Sequence, residues 1–194
     1  PMDKKRNVAI DLLRVIAATL IVLHHYQQGV DITFEHIKFY GGTFNFAYLV
    51  ELFFLISGVM VYKSVLDDHI TFKEFMSRRT NRIIPLLAIS VFVETILRYI
   101  NDSIINNVGF SRDLLDIVIN ALGLQSIGLI QTESINQPTW YLSVLLLCYV
   151  WLFVCTKVSE RLKIDKCYMY LFMMGIGIVT NTYMWNTLFL NRYV

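Results

Sequence analysis

Asp11, Arg14, His24 and His25 lie within IDLLRVIAATLIVLHH, residues 10–25, a run otherwise apolar enough for the interior of a bilayer. An ionisable side chain in such a segment costs about 3 kcal/mol on insertion scales, so it normally faces the inside of a bundle with a partner. At about 100° per residue, the eleven steps from Arg14 to His25 make three turns plus roughly 20°. The two therefore share one face, about 16 Å apart along the axis. Asp11 stands one turn before Arg14, within pairing distance on that face, and His24 is turned about 100° away from His25. A neutral imidazole among apolar side chains can take a proton, and a hydroxyl is its natural source. A guanidinium offers a fork of donors that suits a phosphate or a developing negative charge. The blander reading is that Asp11 and Arg14 neutralise each other near one interface while the histidines sit at the other. The alignment of Asp11, Arg14 and His25 on one stripe favours chemistry.

Further along the chain, Glu51 is another acid inside an apolar segment, and Glu94 has Arg98 four residues on, the spacing of a structural ion pair. The stretch RRTNR presents Arg78, Arg79 and Arg82 beside an apolar run. Such a cluster can anchor lipid headgroups or hold the phosphates of a cofactor. The three cysteines, Cys148, Cys155 and Cys167, are odd in number and lack CxxC spacing, so they read as buried thiols, with neither a metal nor a disulfide framework implied.

Elements long enough to hold these residues must be membrane spans. Hydrophobic residues make up 56% of the 194-residue chain and charged ones only 16%, against about a quarter charged in soluble domains. Mean hydropathy is +0.53. Composition therefore predicts an all-α, polytopic, multi-pass protein integral to the cell membrane, and so few exposed cations exclude nucleic acid as a partner. Apolar runs near 8–27, 46–63, 83–100, 139–156 and 168–190 predict spans, while 114–130 is weaker, with Asp116, Asn120, Gln125 and two glycines.

Lysines and arginines decide the orientation. Lys4, Lys5 and Arg6 precede the first span, Lys38 alone follows it, and Lys63, Lys73, Arg78, Arg79 and Arg82 follow the second. The N-terminus is then cytoplasmic. Arg112 falls outside, and KVSERLKIDK, with four basic residues, must return inside. That parity predicts five spans plus one re-entrant or interfacial helix over 114–130; six spans with a basic outer loop is the alternative. TFKEFMSRRTNRIIP, with apolar residues at helical spacing and a basic opposite side, predicts a separate short helix on the inner surface, ending where Pro85 opens the third span.

Four stretches, IDLLRVIAATLIVLHH, VELFFLISGVMVYKS, FMSRRTNRIIP and PTWYLSVLLL, occur in this order over residues 10–147. Together the chain resembles the acyltransferase 3 family of integral-membrane acyltransferases. The resemblance implies transfer of an acyl group, most often acetyl, from cytoplasmic acyl-CoA to a hydroxyl of a cell-envelope glycan or lipid-linked sugar. No metal is implied, and membrane lipid and the sugar acceptor are the partners. By position, the family's Arg-x10-His motif falls on Arg14 and His25, its basic loop motif on Arg79 and Arg82, its acid before Phe-Phe-x-x-Ser-Gly on Glu51, and its tryptophan motif on Trp140.

In the resulting scheme His25 deprotonates the acceptor hydroxyl or relays the acyl group. Arg14, oriented by Asp11, and Glu51 support it; Arg78, Arg79 and Arg82 hold CoA phosphates; Trp140 and His24 contact substrate. Residues 1–194 then form a single acyltransferase domain. Family members usually have about ten spans, so the chain reads as an N-terminal portion. Tyr141 and Leu145 stand where sugar-modifying branches often carry a serine and an acid. A rival class is a non-catalytic carrier or sensor that binds an anionic lipid or sugar in the polar centre; such a carrier is expected to show repeat symmetry, and none is visible.

Overall fold

The computed structural model describes residues 8–29, 33–34, 37–38, 46, 48–67, 69–106, 114–126 and 135–184. Lys4, Lys5, Arg6, Arg112 and the distal parts of the 114–130 and 168–190 segments lie outside these residues. The described residues form six α-helices: α1 (Val8–Gly29), α2 (Leu49–Val65), α3 (Phe72–Tyr99), α4 (Leu114–Ala121), α5 (Trp140–Leu162) and α6 (Lys166–Met184). A two-residue antiparallel ladder pairs Thr33 with Lys38 and Phe34 with Ile37, which leaves the class all-α. Among the described residues, three helical stretches, Val8–Tyr26, Phe72–Ile105 and Trp140–Leu162, are long and apolar enough to cross a membrane. At 17 residues, α2 is at the short end of the spanning range of about 17–25.

Contacts fix the helix directions. Phe75 meets Phe153, Arg79 meets Tyr149 and Asn136 bonds Ser90, so α5 runs antiparallel to α3. Phe53 and Phe54 meet Tyr141, and Val61 and Val65 share a core cluster with Tyr149 and Phe153, so α2 runs parallel to α5. Thr156 bonds Tyr170 and Cys155 bonds Met173, which sets α6 antiparallel to α5. The chain therefore leaves α3 and enters α5 at the same end. Between them α4, eight residues long, measures about 12 Å and packs along α3 without crossing. These directions, with α4 lying along α3, are those that five crossings require. It gathers Lys63, Arg78, Arg79, Arg82, Lys157, Arg161 and Lys166 at one end of the bundle, called here the basic end.

The expected surface helix before Pro85 does not exist as a separate element. Thr71 caps α3 by accepting a hydrogen bond from the Glu74 backbone N–H at 3.2 Å, which starts the helix well before the apolar run. It then continues through Pro85 to Tyr99 and one π-helical turn, Ile100–Ile105. Proline removes one backbone bond in mid-helix; Phe75, Leu87 and Val91, buried on both sides of it, hold the two halves in register. The 34-residue stretch is roughly 50 Å long. It exceeds a hydrocarbon core of about 30 Å, so its basic first turns project beyond the apolar length.

At the opposite end, polar residues from the weak apolar segment act as clips. Asn120, fully buried, donates to the Asp116 carbonyl at 2.8 Å and accepts from Ile135 N–H at 3.1 Å. Arg98 bonds Glu94 at 2.9 Å, as its spacing predicts, and also donates to the Ile135 carbonyl at 3.0 Å. Gly123 ends α4 at φ +70°, with its N–H on the Asn120 carbonyl and the Leu124 N–H on the Ile119 carbonyl. This pairing needs a left-handed residue. A Cβ there would lie 3.0 Å from Leu87 Cδ2. Gly123→Ala is accordingly expected to cost about 1–3 kcal/mol, read as a lowered thermal midpoint in detergent; an unchanged midpoint would show that α4 is not anchored by this turn.

Candidate active site

The face that α1 turns inward carries Asp11, Arg14, Ala17, His24 and His25. Ala17 and His24 are its buried positions, one heptad apart, while Asp11, Arg14 and His25 are half-buried beside them. The stripe inferred from Arg14 and His25 is therefore real as a face, but its centre near the far end is His24. The His24 and His25 rings meet edge to face, 5.7 Å between centroids.

Arg14 reaches across to α2, where Nη2 donates to the Met60 sulfur at 2.8 Å. A thioether is a weak acceptor, so a bound anion would replace it readily. The arginine cluster divides. On successive helical positions about 100° apart, Arg79 turns inward and Arg78 outward. The Arg78 guanidinium, largely exposed, is held by Glu74 one turn back, and Arg82 is exposed as well. Lys73, Glu74, Ser77 and Arg78 line a shallow surface pocket with Thr71.

Arg79 lies against the Phe75 ring with its Cζ 3.6 Å from the centroid and 5.6 Å from that of Tyr149. One of its terminal nitrogens donates to the Phe75 carbonyl, and its buried Nε has no partner among the described residues. Tyr149, on α5, is buried beside Arg79. The helices α3 and α5 thus bring Arg79 and Tyr149 together, while Arg14 of α1 engages Met60 of α2.

His25, Glu51 and Trp140 sit at the other end of the same bundle. Glu51 occupies the exposed first turn of α2, and Trp140, also exposed, opens α5. Tyr141, one position on, packs on Phe53 and Phe54 at 6.1 and 6.5 Å between centroids. The site is therefore two-tiered: an arginine tier near the basic end and a histidine tier about 16 Å along α1 from it. Sequence reasoning missed Tyr149 and Phe75 as members. Its one available signal was a tyrosine inside an apolar helix, whose hydroxyl requires a polar partner when buried.

The family model described as the acyltransferase domain, that of the acyltransferase 3 family, matches residues 7–194. The chain belongs to the acyltransferase 3 family. It is thus a membrane acyltransferase domain in general class. No curated protein and no solved structure matches it. In this acyltransferase domain Arg79 of the basic motif packs beside Tyr149, a residue of α5 that no motif contains.

Proposed function

We propose that this chain moves an acyl group, acetyl above all, from acyl-CoA to a hydroxyl of a cell-envelope glycan or lipid-linked sugar, with the basic end of the bundle facing the cytoplasm. The observation that carries the reading is the two-tiered site within a family-matched domain: donors for an anion at one tier, an imidazole at the other. Arg79 and Arg14 take phosphate groups of the donor, with Arg78 and Arg82 at the rim. Asp11 supports Arg14 on the same face.

The tiers also fit the donor's shape. Between its phosphates and thioester, CoA carries a flexible arm with two amide links, as long as about four extended residues, about 15 Å, comparable to the Arg14–His25 rise. His25 takes the proton of the acceptor hydroxyl as its oxygen attacks the thioester carbonyl. The C–S bond then breaks, and the departing thiolate receives that proton from the imidazolium. Glu51, His24 and Trp140 lie at the acceptor's tier, where an exposed indole offers a flat apolar face to a sugar ring.

Equilibrium titration of acetyl-CoA into the purified, detergent-solubilised chain tests the donor assignment. Saturable binding that free CoA competes away is expected. A flat titration by a folded sample would remove acyl-CoA as the donor and favour the carrier class.

A further inference from the structure

α5 begins without the device that starts α3. Thr71 caps α3 through its hydroxyl, whereas Thr139, at the corresponding position of α5, makes no side-chain bond to the helix it precedes. Its hydroxyl donates instead to the Asn136 carbonyl at 2.7 Å and accepts from Gln125 Nε2 at 3.3 Å. The first backbone N–H groups of a helix have no intrahelical partners, so an uncapped first turn is prone to fray. Trp140, with its exposed indole, occupies that turn.

The segment just before it is fastened from two other helices. Buried Ile135 has both of its backbone groups engaged by side chains. Its N–H donates to Asn120 Oδ1 of α4 at 3.1 Å, and its carbonyl accepts from Arg98 Nη2 of α3 at 3.0 Å. Arg98 can serve two partners because a guanidinium is a fork: Nε holds Glu94 while a terminal nitrogen reaches Ile135. Asn136 adds a longer bond, 3.4 Å, to Ser90 of α3. Buried peptide groups are costly to leave unpaired, so both side chains resist any lifting of this segment.

We propose that Asn120 and Arg98 are positioning residues for Trp140: by holding both backbone groups of Ile135 they keep the uncapped start of α5 from fraying and fix the indole at the acceptor's tier. The consequence for acceptor binding rests on the functional reading above, and the restraint on Trp140 rests on these bonds alone. The short helix α4 thereby has a task, which is to carry Asn120 to Ile135.

The test uses variants that break these bonds. Asn120→Leu nearly keeps the volume and removes the bond to Ile135, and Arg98→Lys keeps a charge for Glu94 but loses the second arm. Hydrogen exchange of the detergent-solubilised chain, followed by mass spectrometry, reads the fastening without any ligand. In each variant the amides of 135–141 are expected to exchange about tenfold faster, with those of 145–156 unchanged. For the acceptor, Trp140 is followed as the sole tryptophan, with Trp151→Phe and Trp185→Phe in the background, in a detergent without sugar headgroups. Octyl glucoside is the probe. A saturable change in Trp140 fluorescence is expected, with affinity about fivefold weaker in either variant and acetyl-CoA affinity unchanged.

Unchanged exchange over 135–141 in both variants would overturn the proposal. Faster exchange in both segments would do the same, since the two residues would then support the bundle as a whole. So would faster local exchange with wild-type glucoside affinity, because Trp140 would then be held by something else. If exchange responds locally but the unmodified sites give no saturable glucoside response, the restraint on Trp140 stands and the acceptor reading falls.

Discussion

His25→Ala is expected to reduce acyl transfer by a factor of about 100 to 10,000 while leaving acetyl-CoA affinity within about twofold of wild type. The first part follows from the role of a general base: without the imidazole the acceptor hydroxyl must attack while still protonated. The second follows from geometry, because His25 stands about 16 Å along α1 from the arginine tier. The choice between adjacent histidines rests on exposure. His24 is buried on the packed face with Ala17, whereas His25 is half-exposed at its edge and open to an acceptor. His24→Ala should consequently lower the thermal midpoint as well as activity, an effect that His25→Ala should not share. Transfer at wild-type rate by His25→Ala would falsify its role, and a large loss of donor affinity would move the donor's phosphates to the histidine tier.

The arginine cluster is expected to be unequal. Arg79→Ala should weaken acetyl-CoA binding by about 30- to 100-fold, and Arg78→Ala by less than threefold. Arg79 lies against the Phe75 ring, 5.6 Å from the Tyr149 centroid, and its buried Nε has no partner among the described residues, so an anion there meets a preorganised, partly desolvated donor. Arg78 is exposed and paired with Glu74; surface pairs of this kind contribute little and are screened by salt. Arg82→Ala should fall between these values, since that side chain is exposed but lies one turn from Arg79. Equal losses from Arg78 and Arg79 would show that the phosphates sit on the outer surface, over the pocket lined by Thr71, Lys73 and Ser77. Isothermal titration of the single variants at fixed ionic strength separates the cases.

Much of the fold was legible because membrane helices obey simple constraints. Length and hydropathy locate spans, and the alternation of basic loops sets their parity, which is how a weak apolar segment could be assigned to a helix that does not cross. Where local rules competed, the sequence alone was ambiguous. Pro85 reads as a helix start, yet Thr71 already caps the helix one segment earlier, and packing of Phe75, Leu87 and Val91 carries it through the proline. Adjacent arginines look alike in a string of letters. Only the seat of α3 against α5 decides that Arg79 turns toward Phe75 and Tyr149 while Arg78 turns out.

By itself, then, the sequence determined the class of the protein, the face shared by Asp11, Arg14 and His25, and the residues that carry the family resemblance. All of these depend on a single helix's period or on composition. The tertiary structure decided that His24 is the buried histidine, that Arg79 packs beside Tyr149, and that the histidine and arginine tiers lie at opposite ends of one bundle. These depend on which helices are neighbours and in which direction they run, and that information is held in contacts between residues far apart in the chain.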